Sequence, residues 1–186
     1  GDTLRQSLFD LIQAFKATTS GGGWVYLKDK HHIGGWVRSL EFTHGKNGWH
    51  PHLHLLLFAD TNIDVLGDEL SGRWIKILDT VGRTGKEGIA CDVRVSNDAV
   101  ADYVSKFGRE PADRENTISR YWTMEHEISK SVSKKAHGDN RNPFEILMDT
   151  GIGKDAVSRF LFREYVTETK GRRQLEWSRS PDIRKM

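Results

Sequence analysis

Apolar positions recur along this chain with two periods, and the periods divide it into helices and strands. Leu4, Leu8, Leu11, Ile12 and Phe15 keep the i, i+3/i+4 spacing of an amphipathic helix, ended by Thr18-Thr19-Ser20-Gly21-Gly22-Gly23. Trp36 to Thr43 alternates instead, with Trp36, Leu40 and Phe42 on one side and Val37, Ser39, Glu41 and Thr43 on the other. Beyond the turn-forming His44-Gly45-Lys46-Asn47-Gly48, the run from Trp49 to Phe58 reads as a buried strand, so the two segments predict an antiparallel hairpin. Leu66, Leu70, Trp74, Ile77/Leu78 and Val81 predict a helix capped by Asp64. Ile89 to Val95 predicts a third strand. A short helix follows, carrying Ala99, Val100, Tyr103, Val104 and Phe107 and stopping at Gly108.

From Arg109 to Asn142 the chain is polar and charged, with helical spacing around Tyr121 to Ser133 and a loop-like end over Lys134 to Asn140. Pro143 suits the first turn of a helix capped by Asn142. Asp155 to Thr169 predicts a helix with Ala156, Phe160, Leu161 and Tyr165 inward, Gly171 ends it, and Gln174 to Ser178 reads as a last strand. The pattern is α+β: an antiparallel sheet of roughly four or five strands with flanking helices. No repeat or linker divides it, so a single domain over residues 1–186 is expected.

Composition narrows this picture without directing it. The one cysteine, Cys91, rules out a disulfide framework or a cysteine-based zinc site within the chain. No stretch approaches a transmembrane span and no secretory signal is present, so a soluble, cytoplasmic protein without a membrane partner is expected. A net charge of +2 and a pI near 8.7 permit nucleic-acid binding but do not indicate it.

The chemistry is concentrated in Trp49-His50-Pro51-His52-Leu53-His54. His52 and His54 share one face of their strand with His50 in phase, while Leu53, Leu55 and Leu57 take the other. Imidazoles grouped in an apolar run are costly unless paired, hydrogen-bonded or metal-bound. Folding the hairpin brings Glu41 opposite His52, which makes it the third ligand of choice. Downstream, Tyr103 and Lys106 are three residues apart on a helix and can address one phosphate together. His31, His32 and His44 sit in loop-like contexts and read as solvated.

In this order, the segments resemble the HUH endonuclease family, most closely the replication initiators (Rep proteins) of rolling-circle plasmids. The resemblance rests on Arg38-Ser39-Leu40-Glu41-Phe42-Thr43, Gly48-Trp49-His50-Pro51-His52-Leu53-His54 and Tyr103-Val104-Ser105-Lys106. Asn142-Pro143-Phe144-Glu145-Ile146-Leu147 and Gly171-Arg172-Arg173-Gln174-Leu175-Glu176-Trp177-Ser178 extend it over nearly the whole chain. It implies a ferredoxin- or RRM-like sheet, and a Mn2+ or Mg2+ ion on Glu41, His52 and His54. It further implies that Tyr103, assisted by Lys106, nicks and rejoins single-stranded DNA through a 5′-phosphotyrosine. Single-stranded or hairpin origin DNA and a host helicase are the partners implied. Contacts to DNA would come from His50, Lys46, Trp49, Arg172 and Arg173, with Trp24 and Trp36 also possible.

Two departures stand out. The family's opening strand, apolar and threonine-rich, has no counterpart before Gly1-Asp2-Thr3-Leu4. Position 99, where some relatives carry an acid, is Ala99. Within the class a transposase or relaxase is the runner-up, though relaxases place the tyrosine ahead of the histidines. A cupin would want a glutamate soon after the histidine pair, where Leu55-Leu56-Leu57-Phe58 stands. A non-enzymatic RRM-like binder would show paired aromatics on two central strands.

Overall fold

A computed structural model of the chain describes residues 3–86, 88–93, 140–152 and 155–179. Tyr103, Lys106 and the helices expected around them and around Tyr121 lie outside the described residues. The described chain is α+β, with a three-stranded antiparallel sheet among those residues where four or five strands were expected.

The hairpin forms as its alternation predicts. β1 (Gly35–Gly45) and β2 (Gly48–Phe58) pair over their whole length, from Gly35 opposite Phe58 to Gly45 opposite Gly48. The turn is tighter than the sequence suggests: Lys46 and Asn47 alone bridge the strands, and Gly48 takes φ +93°, which glycine adopts without strain. His44 therefore belongs to β1. The last strand, β3 (Leu175–Trp177), pairs with the other edge of β1 and sets the order β2-β1-β3.

Helices follow their caps. In α1 (Leu4–Thr18) the Thr3 side chain accepts from Gln6 N. The cap of α3 (Ile63–Thr80) is Asn62 and not Asp64, since Asn62 Oδ1 accepts from Asp64 N at 2.9 Å and Val65 N at 3.3 Å. Asn142 starts α4 (Pro143–Ile152) as expected, in a reciprocal cap: its Oδ1 accepts from Phe144 N and Glu145 N, and Glu145 reaches back to Asn142 N. Asp155 caps α5 (Ala156–Thr169) through Val157 N and Ser158 N.

The glycine run that follows the end of α1 opens a further helix, α2 (Gly21–Lys30), that the periodicity does not predict. Two things override the low helix propensity of glycine. Trp24 and Leu27 bury themselves against Ile33, Leu66 and Leu70. Arg73 of α3 clasps the junction, donating to the carbonyls of Ala17, Thr18 and Ser20, each at 2.9 Å. Gly23 lets that guanidinium close in, because a Cβ there would stand 2.3 Å from Arg73 Nη1.

One face of the hairpin is the core. Leu40, Phe42 and Trp49 pack with Leu4, Leu8 and Ile12 of α1, Ile146 of α4 and Leu161 of α5, while Trp36 and Leu57 pack against the α2–α3 cluster. Arg38 enters the same face, pairs with Glu176 of β3 and lies over the Phe15 ring at 5.3 Å.

Three further expectations are corrected. Of the strand expected over Ile89 to Val95, residues 94 and 95 lie outside the described residues, and 89–93 form a turn and bend followed by irregular chain, with Ile89 N and Ala90 N both donating to Lys86 O and Ile89 78% exposed; no described strand runs beside them to supply ladder hydrogen bonds. On α5 the buried stripe is Ser158, Leu161, Phe162 and Tyr165, leaving Ala156 and Phe160 exposed, because the helix is rotated to seat Tyr165 on Phe42 and Trp49. His31 is not solvated but 2% exposed. Its Nδ1 meets Thr61 Oγ1 at 2.7 Å and its Nε2 meets Glu69 Oε2 at 2.9 Å, satisfying both ring nitrogens inside the protein.

Candidate metal and phosphate site on the open sheet face

Strand register lays the polar residues in rows on the face opposite the core. Thr43 pairs with His50, Glu41 with His52 and Ser39 with His54, so alternation carries all six to one surface. Glu41 thus lands where the hairpin predicts, between the levels of the flanking histidines.

Side chains on this surface meet in two pairs. His54 Nε2 is 2.6 Å from Glu41 Oε2, on the diagonal across the strands. His50 Nδ1 is 2.8 Å from His52 Nε2, with ring centroids 4.6 Å apart. The Glu41–His54 pair is partly buried, at 19% and 28% side-chain exposure, whereas His50 and His52 open to solvent. Although His52 is exposed as a residue, desolvation by the surrounding protein lowers its pKa below the ordinary 6.5. The His50 imidazole pushes the same way, against the attraction of Glu41. Both effects favour the neutral imidazole, the form that can donate a lone pair. Next to His54, Ser39 is 1% exposed and its hydroxyl has no hydrogen-bond partner among the described residues.

Two imidazoles and a carboxylate on one rigid hairpin are, by donor chemistry, suited to a divalent first-row ion. As the side chains stand, each histidine Nε2 is turned to a protein neighbour. Among the described residues no group of three or more His, Cys, Asp or Glu side chains is arranged to hold a metal ion. Holding an ion here would require both hydrogen bonds to be given up.

The other expected contact residues divide. Lys46 is exposed at the hairpin tip. Arg172 is partly engaged, its Nε donating to Glu168 O at the end of α5 at 2.8 Å. Arg173 is exposed one residue beyond Gln174, whose carbonyl accepts from Leu40 N at 2.9 Å; the β1–β3 register continued to Arg173 falls opposite Glu41.

Trp49 is a correction. It points to the core face, is 6% exposed, and donates Nε1–H to Glu164 Oε2 at 2.8 Å, so no ring face is open to a base. Trp24 is likewise buried, and Trp36 packs edge-on against Phe15. Glu164 itself was not foreseen. Its other oxygen accepts from Leu4 N at 3.0 Å, so one carboxylate ties α5 to β2 and to the start of α1. These contacts span more than a hundred residues of chain, and no local pattern announces them.

No family model matches the chain. A curated protein named "Protein rep", from Streptomyces lividans, is 26% identical over 223 aligned positions, covering 89% of this chain and 46% of that protein. The chain thus spans less than half the length of that relative. No solved structure matches. Among the described residues no helix is long and apolar enough to cross a membrane.

Proposed function

We propose that this chain is the nicking domain of a plasmid replication initiator, cutting and rejoining single-stranded origin DNA through a tyrosine. The carrying observation is Glu41, His52 and His54 on one sheet face, with Glu41 opposite His52 in register and hydrogen-bonded to His54. The similarity to "Protein rep" over 89% of the chain agrees in kind.

In this reading Glu41, His52 and His54 hold a divalent ion, manganese or magnesium, which would polarise a phosphodiester and offset charge on its oxygens. Tyr103 supplies the nucleophile. Its phenolic oxygen bonds to phosphorus as the bond to the 3′-oxygen breaks, leaving a 5′-phosphotyrosine and a 3′-hydroxyl that takes up a proton. The phosphodiester bond energy is kept, so the same 3′-hydroxyl or another can reverse the step. The Lys106 ammonium favours the phenolate and holds a non-bridging oxygen. Lys46 and Arg173 meet flanking phosphates, and a host helicase unwinds the duplex from the nick.

The test is capture of covalent adduct. The protein is incubated with a random-sequence single-stranded DNA pool labelled at the 3′ end, with Mn2+ or with chelator, and run on a denaturing gel. Label travelling with the protein only in the presence of the ion, and mapping to Tyr103, is expected. Binding without any adduct would leave a non-enzymatic single-strand binder in its place.

A further inference from the structure

Resting on that reading of Glu41, His52 and His54 as ligands, we propose that His50 is not a fourth ligand but a positioning residue that competes with the ion for His52 Nε2. The distance carries the argument. His50 Nδ1 lies 2.8 Å from His52 Nε2, so one proton is shared between two lone pairs that point at each other. A nitrogen in that hydrogen bond cannot at the same time donate its lone pair to a metal. Either His50 donates to it, or it carries the proton itself and must lose it before coordinating.

Geometry gives the bond a second consequence. His50 and His52 are i, i+2 neighbours on β2, and their rings are tilted by 50° with centroids 4.6 Å apart. His50 thereby fixes the ring plane of His52 with Nε2 turned along the strand towards position 50. On the other side, His54 Nε2 points to Glu41, which is itself a proposed ligand, so coordination there merely reorders two members of the set. At His52 the ion has to displace a residue that remains outside. His50 therefore sets the affinity of the site downward and keeps His52 oriented until an ion arrives.

The experiment compares wild type with His50→Ala and His50→Asn by calorimetric titration with Mn2+ alone. Ring 15N spectra of His52 and His54 report on the same proteins. An asparagine amide can stand near the place of Nδ1 and keep the hydrogen bond. His50→Ala should bind Mn2+ about two- to tenfold more tightly, the equivalent of one net hydrogen bond released. The His52 Nε2 resonance should shift while the His54 resonances stay, and His50→Asn should return the affinity to within about twofold of wild type. Weaker binding in His50→Ala, with wild type binding normally, makes His50 a ligand and overturns the proposal while leaving the site standing. Equal affinity in all three proteins overturns it as well. Absence of Mn2+ binding in both wild type and His50→Ala removes the site and the proposal together.

Discussion

Glu41 and His54 meet at 2.6 Å although they are not opposite each other: the register pairs Glu41 with His52, and His54 with Ser39. The contact is diagonal, within the reach of long side chains across neighbouring strands. Glu41 therefore touches one histidine of the His-x-His pair through its carboxylate and stands beside the other through its backbone. That position lets one carboxylate serve both rings.

If these three residues form the ion site, replacing His52 and His54 together by alanine abolishes Mn2+ binding. Thermal melting should shift by only a few degrees, because both rings lie on the face away from Leu40, Phe42 and the described helices that pack on them. Calorimetry and circular dichroism on the same preparation check the two halves. Retained Mn2+ affinity in the double variant would move the site elsewhere.

Tyr103→Phe keeps the ring and removes the attacking oxygen. It should bind single-stranded DNA and Mn2+ as wild type does and yield no protein–DNA adduct. Lys106→Ala should slow adduct formation without ending it, since the ion carries most of the charge stabilisation. Wild-type adduct yield from Tyr103→Phe would show the nucleophile to be another residue.

Glu164→Gln tests the tie between α1, β2 and α5. The two groups that reach Glu164, Leu4 N and Trp49 Nε1, are both donors. A carboxylate accepts from both, whereas an amide offers one oxygen and turns an N–H2 towards the other donor. The change is nearly isosteric yet should cost about 1–3 kcal/mol. Urea unfolding measures it, and an unchanged midpoint would mean the carboxylate is not what joins these elements.

His44 supplies a pH dependence. Its pKa lies below the ordinary 6.5, first through desolvation against Trp49 and then through Arg141, with Glu164 opposing. Falling pH protonates the unfolded chain first, so the folded state is disfavoured. The stabilising contribution of neutral His44 is whole above 6.5 and is lost as pH drops through that value and then through the lower folded pKa. The His44 Cε1–H titration should have its midpoint below 6.5, and Arg141→Ala should raise it. A midpoint at or above 6.5 in the native protein would contradict the burial seen here.

Much of this molecule was legible in the sequence, and for physical reasons. Alternation along Trp36–Thr43 and Trp49–Phe58, with glycine and asparagine between, leaves few ways to pair two strands. The register then places Glu41 beside His52 by counting. Local hydrogen bonding is equally legible at Asn142-Pro143, where the cap and its glutamate are three residues apart. What needed the tertiary structure is whatever depends on a distant neighbour. The run of three glycines forms a helix only because Trp24 and Leu27 find Leu66 and Leu70, and because Arg73 caps the helix before it. Ile89 to Val93 has strand composition, but no described strand lies beside it. His31 is buried because Thr61 and Glu69 converge on its two nitrogens. Trp49 and His50 are adjacent in the chain with similar aromatic character, and the pleat sends one into the core and the other to the open face. Periodicity assigns a side chain to a face; which face receives the helices, and what meets each polar atom there, is decided only when the elements pack.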